Sequence, residues 1–579
     1  MNKKFTAILI ASMMVMMSGC QSDEVAETTE AEPVAEVAET TEAEPVTEVN
    51  IIEEEILTGY GDGFGGKITA KVTMIEGSIV NLEIEAPKET PGICTPAVEN
   101  LPPAIVEAGN TDVDVVSGAS KTSEGIIYAV NNAINPEEYP YPILKEEFIA
   151  EQVNTAPATL GLGMTARGRL SIGKDSVDNL PMYSFNEVYA AVVFDQEGRV
   201  SALRFDQLEV FTPNLEFPNF DAPKFAGYPG QSYGSAEYAD DNAYLEVFDT
   251  WNTKRERGES YVMTSGTWAE QADKFEQVLV GMTLEEIREW FNKYCSDING
   301  RPLNAKSKNE ADIEKLNALS DDEKAMLVDV VASASMSLDD EHGSLIGAIE
   351  DAYNNRVAIP SGKISSLGLG ADFTGRIGPG KDSTGTPIYS FNNVIAAALY
   401  DEDNNIVAIN IDQSEVLSPN SSTATASNFG GFPGQQYNCD KDHDGEIDTV
   451  KVYDETSFLE QFEGNWASKK DRGNDYKFGI GTWSSQIAGY EELFKGMTAS
   501  EVSEWFNKYC SDINGRPLKA DSKNAEDVEK FNALSDDEKA MLIDVVASAS
   551  MSLDDSHGDI VSAINKATEY QIPVNITVE

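Results

Sequence analysis

The fifteen residues EWFNKYCSDINGRPL occur at Glu289–Leu303 and again at Glu504–Leu518, and no other feature of the chain restricts its fold as much. NALSDDEKAML follows the same displacement of 215 residues (Asn317–Leu327, Asn532–Leu542), as does DVVASASMSLDD (Asp329–Asp340, Asp544–Asp555). The match runs backward through TKRERG and SKKDRG (Thr253–Gly258, Ser468–Gly473) to LGLG at Leu160 and Leu367. There the displacement has fallen to 207, so the second copy carries a net insertion of eight residues. Solenoids repeat every 20–50 residues or so, and this period is far longer. It is the period of a duplicated domain, in a chain whose 579 residues allow three or four domains.

Charge narrows the partners. Lys+Arg total 42 against 99 Asp+Glu, a formal net charge of −57, and such a field repels phosphate backbones and anionic head groups. Nucleic acid is therefore excluded as a natural partner. Three histidines and five scattered cysteines exclude most zinc, haem and iron–sulfur scaffolds, which need His/Cys clusters.

The N-terminus reads as an address. Lys3 and Lys4 precede the apolar stretch Phe5–Met17, which is too short to span a membrane comfortably, and small residues lead to Cys20. This ending resembles the bacterial lipoprotein box, in which cleavage precedes a cysteine whose thiol is then diacylated. The resemblance implies a signal peptide over 1–20, lipid attachment at Cys20 and a place on the outer face of the cytoplasmic membrane. Two acyl chains suffice for stable anchoring. Residues 25–36 (VAETTEAEPVAE) recur almost unchanged at 37–48, and Gln21–Gly66 holds fourteen acids with no Lys or Arg. A segment of this kind buries too little apolar surface to fold, so 21–55 is expected to be an acidic tether.

Three units follow the tether, at 56–137, 157–355 and 364–570. The first opens with GYGDGFGG (Gly59–Gly66), then an alternating apolar pattern split by Glu76-Gly77, which is a hairpin signal. After ETPGICTP comes DVVSGAS-KTSEGIIYAVNNAI, read as a strand, a tight turn and a helix burying Ile126, Ile127, Val130 and Ile134. Each later unit has its own hairpin (Val188–Phe205, Val394–Ile411). Each ends in DVVASAS and an apolar-periodic stretch, GSLIGAI or GDIVSAI. Between them lie α-rich insertions bearing Trp251/Trp466, Trp268/Trp483 and Trp290/Trp505. The expected class is α+β, small antiparallel sheets with helices, one fold used three times.

Three segments then line up: Asp114-Val-Val-Ser117-Gly118-Ala119-Ser120, Asp329-Val-Val-Ala332-Ser333-Ala334-Ser335 and Asp544-Val-Val-Ala547-Ser548-Ala549-Ser550. Each is an acid, then small residues, then a hydroxyl at an expected helix entrance, where free N–H groups and the dipole favour a phosphate. Taken alone, a serine at such a position is usually an N-cap.

The first unit resembles the FMN-binding domain of the sodium-translocating NADH:quinone reductase and Rnf electron-transport subunits. The resemblance rests on GYGDGFGG, the hairpin, ETPG (Glu89, Thr90, Gly92) and DVVSGAS followed by Thr122-Ser123 and a helix. It implies FMN held covalently, its phosphate esterified to the last Ser/Thr of D-x-x-[ST]-G-A-[ST] by a flavin transferase. Asp114, Ser117, Gly118 and Ala119 match, and Ser120 falls on the acceptor position. The later units resemble repeated domains of flavinylated extracellular electron-transfer lipoproteins of Gram-positive bacteria. This implies acceptors at Ser335 and Ser550, cofactor contacts from Asp329 and Asp544, and up to three covalent FMN. Both later units depart from the motif, with Ala332-Ser333 and Ala547-Ser548 in place of the hydroxyl residue and glycine.

Other residues carry weaker signals. Asp440, Asp442, Asp444, Glu446 and Asp448 have the spacing of a calcium loop, but Lys451 stands where the bidentate acid belongs, and an acidic surface turn fits equally. His342 and His557, just after the candidate acceptors, are read as capping or surface residues or as contacts to flavin or its phosphate. Lys254, Arg257, Lys469 and Arg472 are read as a solvated helix face, with balance of a phosphate as the alternative. Cys295 and Cys510 are expected to be buried.

The function these readings support is a lipid-anchored electron carrier rather than a self-contained oxidoreductase. It would take electrons from a membrane donor and pass them to an external acceptor such as metal ions or small molecules. The alternative is an extracytoplasmic binding lipoprotein whose FMN-type units no longer hold flavin.

Overall fold

The computed structural model describes residues 54–62, 67–75, 77–86, 94–116, 119–136, 139, 156–176, 178–214, 221–263, 265–422, 426–439, 444, 446, 449–462, 466–473, 476–478 and 480–579. The signal peptide, Cys20 and nearly all of the expected tether lie outside them. The described chain is mixed α+β, with antiparallel sheets as expected.

The first unit is a three-stranded meander, β1 (Glu54–Asp62), β2 (Lys67–Ile75) and β3 (Ser78–Glu85), with helices α1 (Thr95–Ala108) and α2 (Ser120–Ile134). The hairpin between β2 and β3 forms where the sequence predicts it, with Gly77 at φ +79°. The start of the Gly-rich segment belongs to β1 itself, and the reason is steric. A Cβ placed on Gly59 would stand 2.1 Å from the Ala129 carbonyl oxygen, and one on Gly61 2.2 Å from that of Gly125. Only glycine lets the backbone of α2 lie directly on the strand. Ile126, Ala129 and Val130 of α2 then reach Ile68, Ala70 and Val72 in a core of the unit's own. Ile134, expected on the buried face, is exposed, because Ala129 and Ala133 hold that face instead.

The first sequence copy forms β4 (Ala158–Lys174), β5 (Pro181–Asp195) and β6 (Val200–Phe211), followed by α3 (Asp241–Glu246), α4 (Trp268–Leu279), α5 (Leu284–Tyr294), α6 (Glu310–Asn317), α7 (Asp321–Ser333), α8 (Leu345–Asn354) and β7 (Arg356–Ala358). The second forms β8 (Gly362–Lys381), β9 (Pro387–Tyr400), β10 (Ile406–Leu417), α9 (Glu455–Glu460), α10 (Trp483–Phe494), α11 (Ala499–Tyr509), α12 (Ala525–Asn532), α13 (Asp536–Ser548), α14 (Ile560–Glu569) and β11 (Ile572–Val578). The sheets run β7-β4-β5-β6 and β11-β8-β9-β10, with Ser427–Asn428 flanking β10. Gly161 and Gly163 meet the backbone of α8 at Ala348 and Ala352, and Gly368 and Gly370 that of α14 at Ala563 and Ala567. The LGLG strand thus plays the part that Gly59-Tyr-Gly61 plays in the first unit.

One expectation fails. Asp329-Val-Val and Asp544-Val-Val are not strands leading to a helix; they lie inside α7 and α13. The cause is upstream, where Ser320 and Glu323, and Ser535 and Glu538, form reciprocal capping boxes that start these helices. In the first unit the same tripeptide is irregular rather than helical or strand.

The two copies are not beads on a string. Their sheets pack through one aromatic core, with Phe185 and Phe391 stacked at 5.8 Å between centroids and Phe225, Phe429, Phe432, Phe462, Trp251 and Trp466 around them. The contacts are reciprocal. Gln231 Nε2 donates to the Gly430 carbonyl at 2.7 Å, and Gln435 Nε2 to that of Ala226 at 2.6 Å. The Tyr389 hydroxyl meets Asp241 of α3 at 3.1 Å, and the Tyr183 hydroxyl meets Glu455 of α9 at 3.3 Å. Gly375 admits Phe248 against β8, and Gly168 admits Phe458 and Phe462 against β4. Strand β5 is buried almost throughout because the other copy's sheet covers its second face.

One asymmetric group lies in this seam. Glu187 of the first copy, fully buried, accepts from Tyr189 Oη (2.7 Å), Asn393 Nδ2 (2.8 Å), Trp466 Nε1 (2.7 Å) and Ser414 Oγ (3.1 Å). Three of its four donors belong to the second copy.

Truncating either stacked ring should therefore damage both copies at once. Phe185→Ala and Phe391→Ala are each expected to cost about 3–5 kcal/mol, the usual range for a buried phenylalanine. Urea unfolding followed through tryptophans of both copies should show one shared transition, and two separate transitions would refute the common core.

Candidate functional site

Helix α2 begins at Ser120 with Ala119 as its N-cap, and among the described residues the N-cap makes no side-chain capping bond. The chain is led in by a small, tightly bonded turn. Ala119 N–H donates to the Val116 carbonyl at 3.0 Å, and Ser123 N–H to that of Ala119 at 2.8 Å. The Ser123 hydroxyl, fully buried, donates to the same Ala119 carbonyl at 2.9 Å and accepts from Val116 N–H at 3.0 Å. Thr111 Oγ1 donates to Asn131 Oδ1 at 2.7 Å, fixing the incoming segment to the helix. The result is an uncapped helix end whose position is set by buried hydrogen bonds. Such an end attracts a phosphate through its N–H groups and dipole, and Ala119, small and buried, keeps the approach open.

Of the residues expected here, Ala119 stands at the helix entrance and Asp114 is exposed in the segment leading to it. Ser120 is the first helical residue. Glu89, Thr90, Gly92, Ser117 and Gly118 lie outside the described residues. Ser123 is the positioning residue that the sequence reading noted only as part of a run.

Ser335 and Ser550 are placed differently from Ser120. They follow the C-terminal ends of α7 and α13, and their N–H groups donate to Gln271 Oε1 (2.8 Å) and Gln486 Oε1 (3.0 Å). The argument from a helix N-terminus therefore does not apply to them, nor does Asp329 or Asp544 stand at a helix entrance. The helices that do match α2 are α8 and α14. Both are capped from within: Ser344 Oγ accepts from Gly347 N–H at 2.9 Å, and Asp559 Oδ1 from Ser562 N–H at 2.7 Å.

The histidines lie just before these two helices. His342 Nδ1 contacts both oxygens of Asp340 at 2.9 Å, and His557 Nδ1 contacts Asp555 at 2.8 Å. Their carbonyls accept from Gln207 and Gln413. Each loop is thereby tied to the sheet.

Beside each loop the basic residues gather, contrary to the expectation of a solvated helix face. Lys254, Arg257, Lys469 and Arg472 are buried. TKRERG and SKKDRG are loops pinned to β6 and β10, since Lys254 N–H donates to the Gln207 carbonyl and Lys469 N–H to that of Gln413. In the first copy Glu209 accepts Arg169 and Lys254 at 3.0 Å each. Burial alone would raise its carboxyl, but Lys254 and Arg169 outweigh that and hold it at about 2. In the second, Glu415 faces Arg376 at 3.0 Å, Lys469 at 3.7 Å and Arg472 at 4.0 Å. The available signal was the survival of the same cations in both copies of an acidic chain.

Cys295 and Cys510 are buried as expected, and burial pushes both thiols well above their ordinary range. The expected calcium loop falls at the end of a hairpin formed by Gln436–Cys439 and Thr449–Val452. Asp440, Asp442 and Asp448 lie outside the described residues, whereas Asp444 and Glu446 are exposed. Among the described residues no cluster of His, Cys, Asp or Glu is arranged to hold a metal.

Four other carboxyls are raised chiefly by burial, Asp206 and Asp412 to about 6 and Asp351 and Asp559 to about 7. Between the ordinary carboxylate range and these values the folded chain binds more protons than the unfolded one, so stability falls as pH rises. Glu209, held at about 2, contributes in the opposite sense and is lost only in more acidic solution. The melting temperature at constant ionic strength is expected to be higher near pH 5 than near pH 8, and Asp351→Asn should flatten that slope. A melting temperature that climbs toward pH 8 would contradict the assignment.

Comparison with known proteins gives this geometry a context. Residues 63–135 match the family model described as FMN-binding domain. A chlorophenol reductase of Desulfitobacterium hafniense is 35% identical over 205 residues, 34% of this chain and 57% of that protein. An NADH:acrylate oxidoreductase of Vibrio harveyi is 35% identical over 78 residues, 14% of this chain and 8% of the relative. A third relative, an uncharacterized protein of Treponema pallidum (strain Nichols), is 35% identical over 83 residues, 14% of this chain and 23% of its own length. The matches thus span just over half of the first relative and less than a quarter of the other two. The segment from 63 to 135 thus matches an FMN-binding domain, and α2 with its entrance forms the C-terminal end of that segment.

Proposed function

We propose that this chain is an extracytoplasmic electron carrier, anchored through a diacylated Cys20, that holds FMN by a phosphoester bond to Ser120. The observation that carries the reading is the contrast among three helix entrances. Those of α8 and α14 are capped by Ser344 and Asp559, whereas that of α2 has no side-chain cap. The uncapped end lies within the segment that matches the FMN-binding domain.

In this reading the sheet and last helix of each copy are further examples of the same unit, related through the Gly-x-Gly contacts, but without an acceptor hydroxyl where α2 has Ser120. Ser335 and Ser550, at helix C-termini, are not acceptors. The Ser123 bonds hold the entrance in place while a flavin transferase works on it. The N–H end of α2 would face the phosphate, and the ester keeps the cofactor from being lost by dilution outside the cell. FMN, when bound, supplies the capacity to take electrons in pairs or singly. The two named relatives are a reductase and an oxidoreductase, which supports a redox role. The donor is then a membrane flavoprotein or quinol-oxidising partner and the acceptor an external small molecule or metal ion.

The test is the intact mass and peptide map of the chain from Ser22, produced with a flavin transferase. One FMN on the Ser120 peptide is expected, absent in Ser120→Ala. No addition would sink the carrier reading in favour of a flavin-free binding protein, and additions at Ser335 and Ser550 would restore a three-flavin relay.

A further inference from the structure

The buried cations of the second copy surround a cavity of about 310 Å³. Arg376, Lys469, Arg472 and Arg516 line it together with His557, and one carboxylate, Glu415, stands among them. Four basic side chains on one wall set this cavity apart in a chain of net charge −57. Lys469 and Arg472 are only 2% and 6% exposed, so bulk water does little to offset their charge. They are held rigidly. Lys469 is tied through its backbone to β10, and the Arg472 guanidinium lies 4.0 Å from the centre of the Tyr476 ring. Trp483, Met551 and Ile560 supply an apolar wall.

The first copy shows what belongs there. Its corresponding residues are Arg169, Lys254, Arg257 and Arg301, with Glu209 in place of Glu415. There, however, the chain brings a second carboxylate, since Glu341 Oε1 stands 3.8 Å from Arg169 Nε. The second copy has Ser556 at that position. The loop after the third strand follows suit: residues 212–224 contain Glu216 and Asp221, and residues 418–428 contain no acid. One copy therefore sets two carboxylates among these cations, and the other, with the same cations, has lost one of the two.

We propose that the cavity of the second copy binds the phosphate monoester of a small organic molecule, the dianion standing where Glu341 stands in the first. A cavity of this size is at the lower end of small-molecule sites, about 300–1,000 Å³, and larger than a bare ion requires. Arginine is suited to phosphate by its fork of donors, and a dianion balances more of the excess charge than a carboxylate. The site is separate from Ser120 and does not depend on covalent flavin there.

The experiment is isothermal titration of the chain from Ser22 carrying Ser120→Ala, so that no flavin is attached by ester. The titrants are inorganic phosphate, FMN as a monoester and riboflavin as the same ring without phosphate. One equivalent of FMN is expected to bind, more weakly as salt is raised, with riboflavin not binding. Ser556→Glu and the exposed Arg516→Ala should each weaken binding about tenfold or more, the scale of one lost charge-assisted hydrogen bond. Glu341→Ser is expected to add a second equivalent. Circular dichroism and the melting curve establish that these surface variants are folded. Binding of phosphate as tight as FMN would assign a free-phosphate site and overturn the monoester. Equal binding of riboflavin, or affinity unmoved by Ser556→Glu, would overturn the anion site altogether.

Discussion

Everything placed with care in this molecule depends on a helix backbone touching a strand backbone. Three times a Gly-x-Gly on the first long strand removes two Cβ atoms that would otherwise stand about 2 Å from a helix carbonyl. The helix answers with alanine or glycine at the facing positions. This contact brings the N-terminus of the helix to a fixed place over the sheet. In the first unit that end is left without a side-chain cap; in the copies it is closed by Ser344 or Asp559. The same geometry leaves one helix entrance without a side-chain cap and closes two others with one.

The sandwich of the two copies sets the second constraint. Both faces of β5 and β9 are covered, one by helices of the same copy and one by the opposite sheet. The seam is mainly aromatic, which gives large buried area with few rotatable bonds. Its polar exception, Glu187, is satisfied by four donors, as a buried carboxylate must be. Asp206 and Asp412 serve a related purpose at the rim. Each accepts from the loop that carries the buried lysine and arginine, Asp206 from Arg255 N–H and Asp412 from Lys470 N–H and Ser468 Oγ. The cations are thus aimed by carboxylates that do not themselves enter the cavity.

Much of this was legible beforehand, for physical reasons. The hairpins follow from alternation and turn residues, and α2, α8 and α14 from apolar periodicity. What misled was Asp-Val-Val followed by small residues, which looks alike in three places. A capping box six to nine residues upstream decides that two of them are helical, and SDDE was in the sequence to be read. The continuous apolar run of β5, Val188 to Phe194, also held a signal. A strand with one wet face alternates, and this one does not, which implies a second covering layer. The pairing of the two copies could not be read, because reciprocal contacts such as Gln231 with Gly430 lie about 200 residues apart and obey no local period. The basic residues looked like stray surface charge because their burial is a tertiary fact.

The reciprocal seam also says something about how such a chain can change. Contacts in which each half gives the other the same side chains are those of a symmetric dimer, whose two identical subunits must alter together with every mutation. Joining the halves in one polypeptide keeps their stoichiometry fixed and removes that obligation. Glu187 opposite Asn393, and Glu341 where the other half has Ser556, are the products of that freedom. The two halves can therefore keep one seam while the rest of each diverges.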